Sequence, residues 1–235
     1  MRGLLIVVVY NQEKQIGNVL RDIRENASLR DVLVVDDGST DDTPDIVGRS
    51  GFDFIRHKKN QGVGAAIRTG IQTAVSRHFD FVVIMSGNGK MKARDIKKMS
   101  EPILNAKADY VQGSRFLSET NSPGLPFFRK VAIPIFSAIA AIFLKQKFSD
   151  LTAGFRAYRL EVVKDLELDQ SWLNRYEMEY YIHYKVCHAK WRILEVPIEM
   201  DYSHLTWRTR SKITPIVGWW SMVRPFILLT LKLKN

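Results

Sequence analysis

A doubly wound α/β fold with a mostly parallel sheet flanked by helices follows from three features of the 235-residue chain. Short continuous apolar runs (Leu4 to Val9, Leu33 to Val35, Phe79 to Met85) have the length and β-branched content of strands buried on both faces. Stretches with helical spacing separate them, as in Ile16, Val19, Leu20 and Ile23. Each run stops at a polar turn, and open α/β sheets hold their ligands beyond such strand ends.

In chain order, Leu4 to Val9 reads as the first strand, followed by Tyr10-Asn11 and a helix. The second strand ends at Asp36-Asp37-Gly38-Ser39-Thr40. Asp41 or Asp42 is placed to cap the helix that opens near Thr43-Pro44. That leaves Asp36 and Asp37 at the strand tip, where paired carboxylates need a cation or hydrogen-bond donors beside them. Phe52 to Ile55 is a brief third strand, and Asn60 to Ala66 opens a helix running to about Arg77. The glycines there resemble a dinucleotide fingerprint, but they follow the third strand, so they read as close helix packing and an entry loop. Phe79 to Met85 ends at Ser86-Gly87-Asn88-Gly89-Lys90, then comes a helix from Ala93 to Leu104 and a strand from Tyr110 to Gly113-Ser114-Arg115-Phe116. Beyond Leu117 the alternation breaks: a loop at Ser122 to Pro126, an apolar helix at Val131 to Leu144, the run Ser149 to Arg156, a helix at Glu177 to Ala189 and a strand at Ile193 to Val196.

Thirty-five Lys and Arg against 25 Asp and Glu give a formal charge of +10, which points to an anionic partner. Nucleic acid is set aside, because the basic residues are dispersed and no aromatic-basic motif interleaves them. The one cysteine, Cys187, precludes an internal disulfide, fits a reducing compartment and falls in a helical pattern as packing. No zinc-type cluster is present, and His204 reads as exposed. No secretory leader is read at the N-terminus. Val131 to Leu144 is too short to span a bilayer, while Pro215, Gly218, Arg224 and Pro225 interrupt Ile213 to Leu233. Trp219-Trp220 with Arg224, Lys232 and Lys234 suits a water–lipid boundary. Both segments are expected to contact membrane; a core or subunit-interface helix, and with it a homo-oligomer, is the alternative.

Several pieces in this order resemble the family-two inverting glycosyltransferases. They are Tyr10-Asn11-Gln12-Glu13, Val34 to Thr40, Asn60 to Gly70, Gly113 to Phe116, Asp150 to Arg156, Glu195-Val196-Pro197-Ile198, and Ser211-Lys212 preceded by Arg208 and Arg210. Asp150 and Ser211-Lys212 make the chain most similar to the dolichyl- and polyprenyl-phosphate mannose or glucose synthases. The resemblance implies a GT-A, Rossmann-like fold over residues 1–212, with a nucleotide-binding half (1–116) and an acceptor half (117–212). Residues 213–235 would form an amphipathic juxtamembrane helix. It also implies transfer of a sugar, with inversion, from a UDP- or GDP-sugar to a lipid phosphate. The protein would be cytoplasmic, peripheral at the inner face of the membrane.

On that resemblance Tyr10 packs on the base, Asp36 and Asp37 accept from base and ribose, and Gln12 and Ser86 line the donor. Arg115, Arg129, Arg208, Arg210 and Lys212 attend the phosphates, since guanidinium forks match phosphate oxygens, and Asp150 shapes the acceptor-side loop. A lipid phosphate is already an anion and needs no general base. A hydroxyl acceptor would need one, from Asp150, Glu177 or Glu179. Glu177 and Glu179 are expected on different faces of one helix, one reaching substrate and the other solvated. Asp150 is expected to pair with Arg156. Arg115→Ala and Lys212→Ala are expected to damage turnover more than folding.

The chain departs from the family where two aspartates usually hold a metal, since Ser86-Gly87-Asn88 and then Lys90 stand there. Magnesium or manganese prefers carboxylate oxygens, so that donor set suits neither well. Three arrangements follow: Lys90 replaces the metal beside the leaving diphosphate; Asn88 with Asp36 or Asp37 holds a weaker metal; or the chain binds a sugar nucleotide without transfer. Lys90, Arg115 and Asn88 are the candidate catalytic residues. The family's usual Pro and Glu near the first strand are Val8 and Gln12 here.

Overall fold

In the computed structural model, which describes residues 1–117, 122–203 and 217–234, the apolar runs become strands β1 (Gly3–Val9), β2 (Val32–Asp36), β3 (Asp53–Arg56), β4 (Phe81–Ser86) and β5 (Tyr110–Ser114). Strand β6 (Arg156–Arg159) and strand β7 (Ile193–Pro197) complete one seven-stranded sheet in the order β3-β2-β1-β4-β6-β5-β7. All neighbours are parallel except β6, which runs antiparallel to both β4 and β5.

Alternation along each strand divides the core. Leu5, Val7 and Val9 of β1, with Val32 and Val34 of β2, face helices α1 (Glu13–Asn26) and α4 (Ile96–Leu104). Leu4, Ile6 and Val8 face α3 (Val63–Ser76) and α6 (Glu177–His188). Both faces are covered, which is why these strands read as unbroken apolar runs. Helix α2 (Thr43–Gly48) closes the β2–β3 connection. Strand β6 is a finding absent from the sequence reading. Its Arg156 lies 3% exposed because Gln112 Oε1 accepts from Nε at 3.0 Å and Glu179 pairs with its guanidinium.

The glycine run before α3 packs closely, as expected. A side chain at Gly62 or Gly64 would collide with the backbone of Leu173-Asn174-Arg175, and the Asn174 carbonyl accepts from Ala65 N at 3.1 Å. The first turn of α3 is thus capped by protein.

Helices α5 (Phe127–Leu144) and α7 (Val217–Thr230) pack with α6 around a third cluster: Phe136, Ala140, Leu144, Tyr180, Met222 and Phe226. The opposite face of α5 presents Phe128, Val131, Ile135, Ile139 and Ile142 to solvent, Ile142 at 75% exposure. Those positions repeat every three or four residues, so they form one stripe. Trp220 of α7 is also exposed.

Candidate functional site

The carboxyl ends of β1, β2, β4 and β5 bring most of the expected residues to one rim of the sheet. The two loops nearest β1 are laced together: Ser39 Oγ accepts from Asn11 N at 2.9 Å, and Thr43 Oγ1 accepts from Gln12 N at 2.8 Å. This places Tyr10 and Gln12 beside the Asp36-Asp37 turn, with the Gln12 side chain turned back to the Tyr10 carbonyl at 3.4 Å.

The donors that two adjacent carboxylates require come from the chain itself. Asp36, fully buried, accepts from Ser39 N at 3.1 Å and from the Ser39 hydroxyl, and lies 3.3 Å from Arg56 Nε. Asp37 is bound by His57 Nδ1 (2.8 Å), Asn60 Nδ2 (2.9 Å), Gln61 N (2.9 Å) and Gly62 N (2.7 Å). Asp37 therefore fastens the β3–α3 loop to the tip of β2.

At the end of β4, Ser86 is half-buried and its amide meets the Met91 sulfur at 3.4 Å. The Asn88 side-chain oxygen accepts from Lys90 N at 3.2 Å. Lys90 is 8% exposed, with Nζ 5.2 Å from the centre of the Tyr202 ring. Arg115, at the end of β5, grips Asp150 in a fork: Nε to Oδ2 at 2.6 Å and Nη2 to Oδ1 at 2.8 Å. Its Nη1 donates to the Tyr202 hydroxyl at 2.5 Å, and Nη2 also reaches Thr152 Oγ1 at 2.6 Å. Burial alone would raise the Asp150 pKa, but the Arg115 charge and hydrogen bonds outweigh it and the carboxyl sits below its ordinary value. Arg115 shows the reverse: burial opposes its charge, Asp150 more than restores it, and the net shift is upward. Glu195 of β7 holds the turn from outside, accepting from Ser149 N at 2.8 Å and Asp150 N at 3.2 Å. Arg129, in the first turn of α5, comes to the same place. Its pKa is lowered by burial, with the Arg115 charge adding to the shift and the Tyr202 oxygen opposing it.

Lys90, Arg115, Arg129 and Asp150 thus meet, and the residue at their centre, Tyr202, is one the sequence reading missed. A lone tyrosine in a loop after the last strand carries no periodicity or motif that marks it. Arg208, Arg210, Lys212 and His204 lie outside the described residues.

Two expectations are corrected. Asp150 pairs with Arg115 and not with Arg156, because Arg156 on β6 is directed to Gln112 and Glu179. Neither Glu177 nor Glu179 is solvated: Glu179 pairs with Arg156, and Glu177 is buried with Oε1 3.9 Å from Arg224 Nη1. Helix α7, packed on α6, covers what looked like a free face.

The resemblance sets a metal beside Ser86-Gly87-Asn88. Ser86 and Asn88 supply no carboxylate, and the carboxylates of Asp36 and Asp37 are taken up by the partners given above. Among the described residues no three His, Cys, Asp or Glu side chains gather as a metal group. Concavities among the described residues elsewhere include a groove of about 330 Å³ between α4 and β7 and a void of about 10 Å³ behind Tyr110 and Tyr158.

A mostly parallel sheet with one antiparallel strand, helices on both faces and a polar rim at the strand ends is the GT-A architecture. The M. tuberculosis glucosyl-3-phosphoglycerate synthase, solved with Mn²⁺, UDP and phosphoglyceric acid, superposes with a TM-score of 0.70 at 16% identity, covering 98% of this chain and 78% of that one. Residues 4–167 match the model of glycosyl transferase family 2, and the chain belongs to that family. It is a glycosyltransferase. It is 30% identical over 216 residues to the UDP-N-acetylglucosamine–dolichyl-phosphate N-acetylglucosaminyltransferase of Methanococcus voltae, covering 85% of each. It is also 30% identical over 203 residues to the undecaprenyl-phosphate mannosyltransferase of Micrococcus luteus, covering 84% of this chain and 83% of that protein.

Proposed function

We propose that this chain transfers a sugar, with inversion, from a nucleotide sugar to a polyprenyl or dolichyl phosphate at a membrane surface. The observation that carries this reading is the gathering of Arg115, Arg129 and Lys90 at the foot of α5, whose outer face is an exposed apolar stripe. A lipid phosphate needs both features side by side: cations for the headgroup and apolar surface for the chain. The relatives named for dolichyl and undecaprenyl phosphate point the same way.

The acceptor's own negative charge makes it the nucleophile, so the protein's work is to offset repulsion between two phosphates and to align the attack. Two of the three carboxylates that could act as a base on a hydroxyl are committed elsewhere. Asp150 has its pKa held down by Arg115, and Glu179 is committed to Arg156. This favours a phosphate acceptor. Tyr10, Gln12, Asp36, Asp37 and Ser86 form the donor side, and Lys90 steadies the departing diphosphate. Asn88 shapes the Lys90 loop through its bond to the Lys90 amide.

The test is transfer from labelled UDP- and GDP-sugars to polyprenyl phosphate, with and without chelator, with 3-phosphoglycerate and a free glycan as rival acceptors. Product on the lipid phosphate, with the chelated rate within about twofold of the untreated one, is expected. Transfer to either rival alone overturns the acceptor. Loss of activity in chelator, restored by magnesium or manganese, overturns the role given to Lys90.

A further inference from the structure

We propose that Tyr202 is a positioning residue that sets Arg115 and Arg129 for a phosphate monoester while leaving their charge intact. This rests on the acceptor reading above and extends it to a residue of the loop after β7.

The hydroxyl is used on every side. It accepts from Arg115 Nη1 at 2.5 Å, its own proton points to the Met200 sulfur at 3.9 Å, and its oxygen partly offsets the penalty that burial and Arg115 impose on Arg129. The ring beneath serves Lys90, whose Nζ stands 5.2 Å from its centre. Tyr202 is 1% exposed, and its amide is tied to the Pro123 carbonyl at 2.8 Å, so the phenol is held from both ends. Pro123 belongs to the loop that leads into α5, the helix that carries Arg129.

The chemistry explains why a tyrosine suits this place. Arg115 is already answered by Asp150, whereas among the described residues no carboxylate pairs with Arg129. Two guanidinium groups brought together repel, and a neutral oxygen between them can accept from both without cancelling either. A carboxylate there would neutralise Arg129 and repel an incoming phosphate. An aliphatic residue would leave the two cations unbridged. The phenol holds Arg115 at 2.5 Å and stands near Arg129 without cancelling its charge, at the border between the cationic cluster and the apolar stripe of α5.

The experiment compares wild type, Tyr202→Phe, Arg129→Gln and the double variant, all as full-length chains checked by thermal melting. Acceptor KM, donor KM and kcat are measured with polyprenyl phosphate in detergent, and inorganic phosphate binding is measured by calorimetry. Tyr202→Phe is expected to raise acceptor KM about tenfold, the scale of one charge-assisted hydrogen bond, with donor KM within about twofold. The double variant is expected to exceed Arg129→Gln only slightly, since both remove the same interaction. An acceptor KM unchanged in Tyr202→Phe but raised in Arg129→Gln overturns the proposal and leaves the acceptor reading standing. If wild type binds inorganic phosphate but does not glycosylate the lipid, the acceptor reading fails. The affinity ratio between wild type and Tyr202→Phe then decides the proposal alone: about tenfold supports it, and equality or no binding by wild type overturns it. Should Tyr202→Phe melt below the assay temperature, the four proteins are compared at a lower temperature at which all are folded, with the same outcomes.

Discussion

Arg115 shows how one side chain serves stability and site geometry together. Its fork on Asp150 is buried on both sides, so truncating it strands a carboxylate in the core. Arg115→Ala is expected to cost about 3–5 kcal/mol in denaturant unfolding. The buried fork thus adds a folding cost to whatever Arg115→Ala does to turnover, and Arg115→Met with Asp150→Leu should recover much of it. His183 makes a separate claim about pH. Burial first, then the Arg156 charge, lowers its pKa well below the ordinary value. It stays neutral, with Nδ1 2.9 Å from the Glu179 carbonyl oxygen and Nε2 3.1 Å from both the Tyr110 hydroxyl and Gln112 Oε1. The unfolded chain takes a proton below about pH 6.5 that the native state refuses. Stability should therefore fall as pH drops below that point, by up to about 1.4 kcal/mol per unit until the native group also titrates. Urea unfolding from pH 7.5 to 5 measures the slope, and His183→Gln should flatten it.

Among the elements, those whose burial follows simple periodicity were legible. Helix α1 buries the same Ile16, Val19, Leu20 and Ile23 that define its pattern, and β1, β2 and β4 fall on the apolar runs. Strand β6 was not legible, because Arg156-Ala157-Tyr158-Arg159 has arginine at both ends and the partners that make Arg156 acceptable lie on β5 and α6. The site divides in the same way. Strand ends place Asp36, Asp37, Lys90 and Arg115 from sequence, but the choice of Asp150 as the Arg115 partner is made by tertiary packing. Helix α5 carries the prediction at this scale. Its eighteen residues are about 27 Å long, yet one face is spent on α6 and α7, so it is suited to lie in a membrane surface. Replacing exposed Ile135 and Ile139 together with Glu should abolish flotation with neutral vesicles, where the stripe alone can hold the protein. Melting should hardly change, since both side chains are more than half exposed.

At the scale of the whole molecule, a formal charge of +10 coexists with an apolar stripe, and the two attractions to a membrane respond differently to salt. Charges act over a Debye length of about 10 Å at 0.1 M and about 3 Å at 1 M, whereas burial of apolar surface does not weaken with screening. Wild type should therefore bind anionic vesicles best at low salt and keep a residual, salt-resistant affinity at about 0.5 M. The Ile135→Glu, Ile139→Glu variant should lose that residue first. Neutral vesicles offer the converse: no salt dependence, and binding carried by the stripe alone. Sedimentation with both lipid compositions separates the terms. Complete release of wild type at high salt would show that charge alone holds it to the surface and that α5 faces something other than lipid.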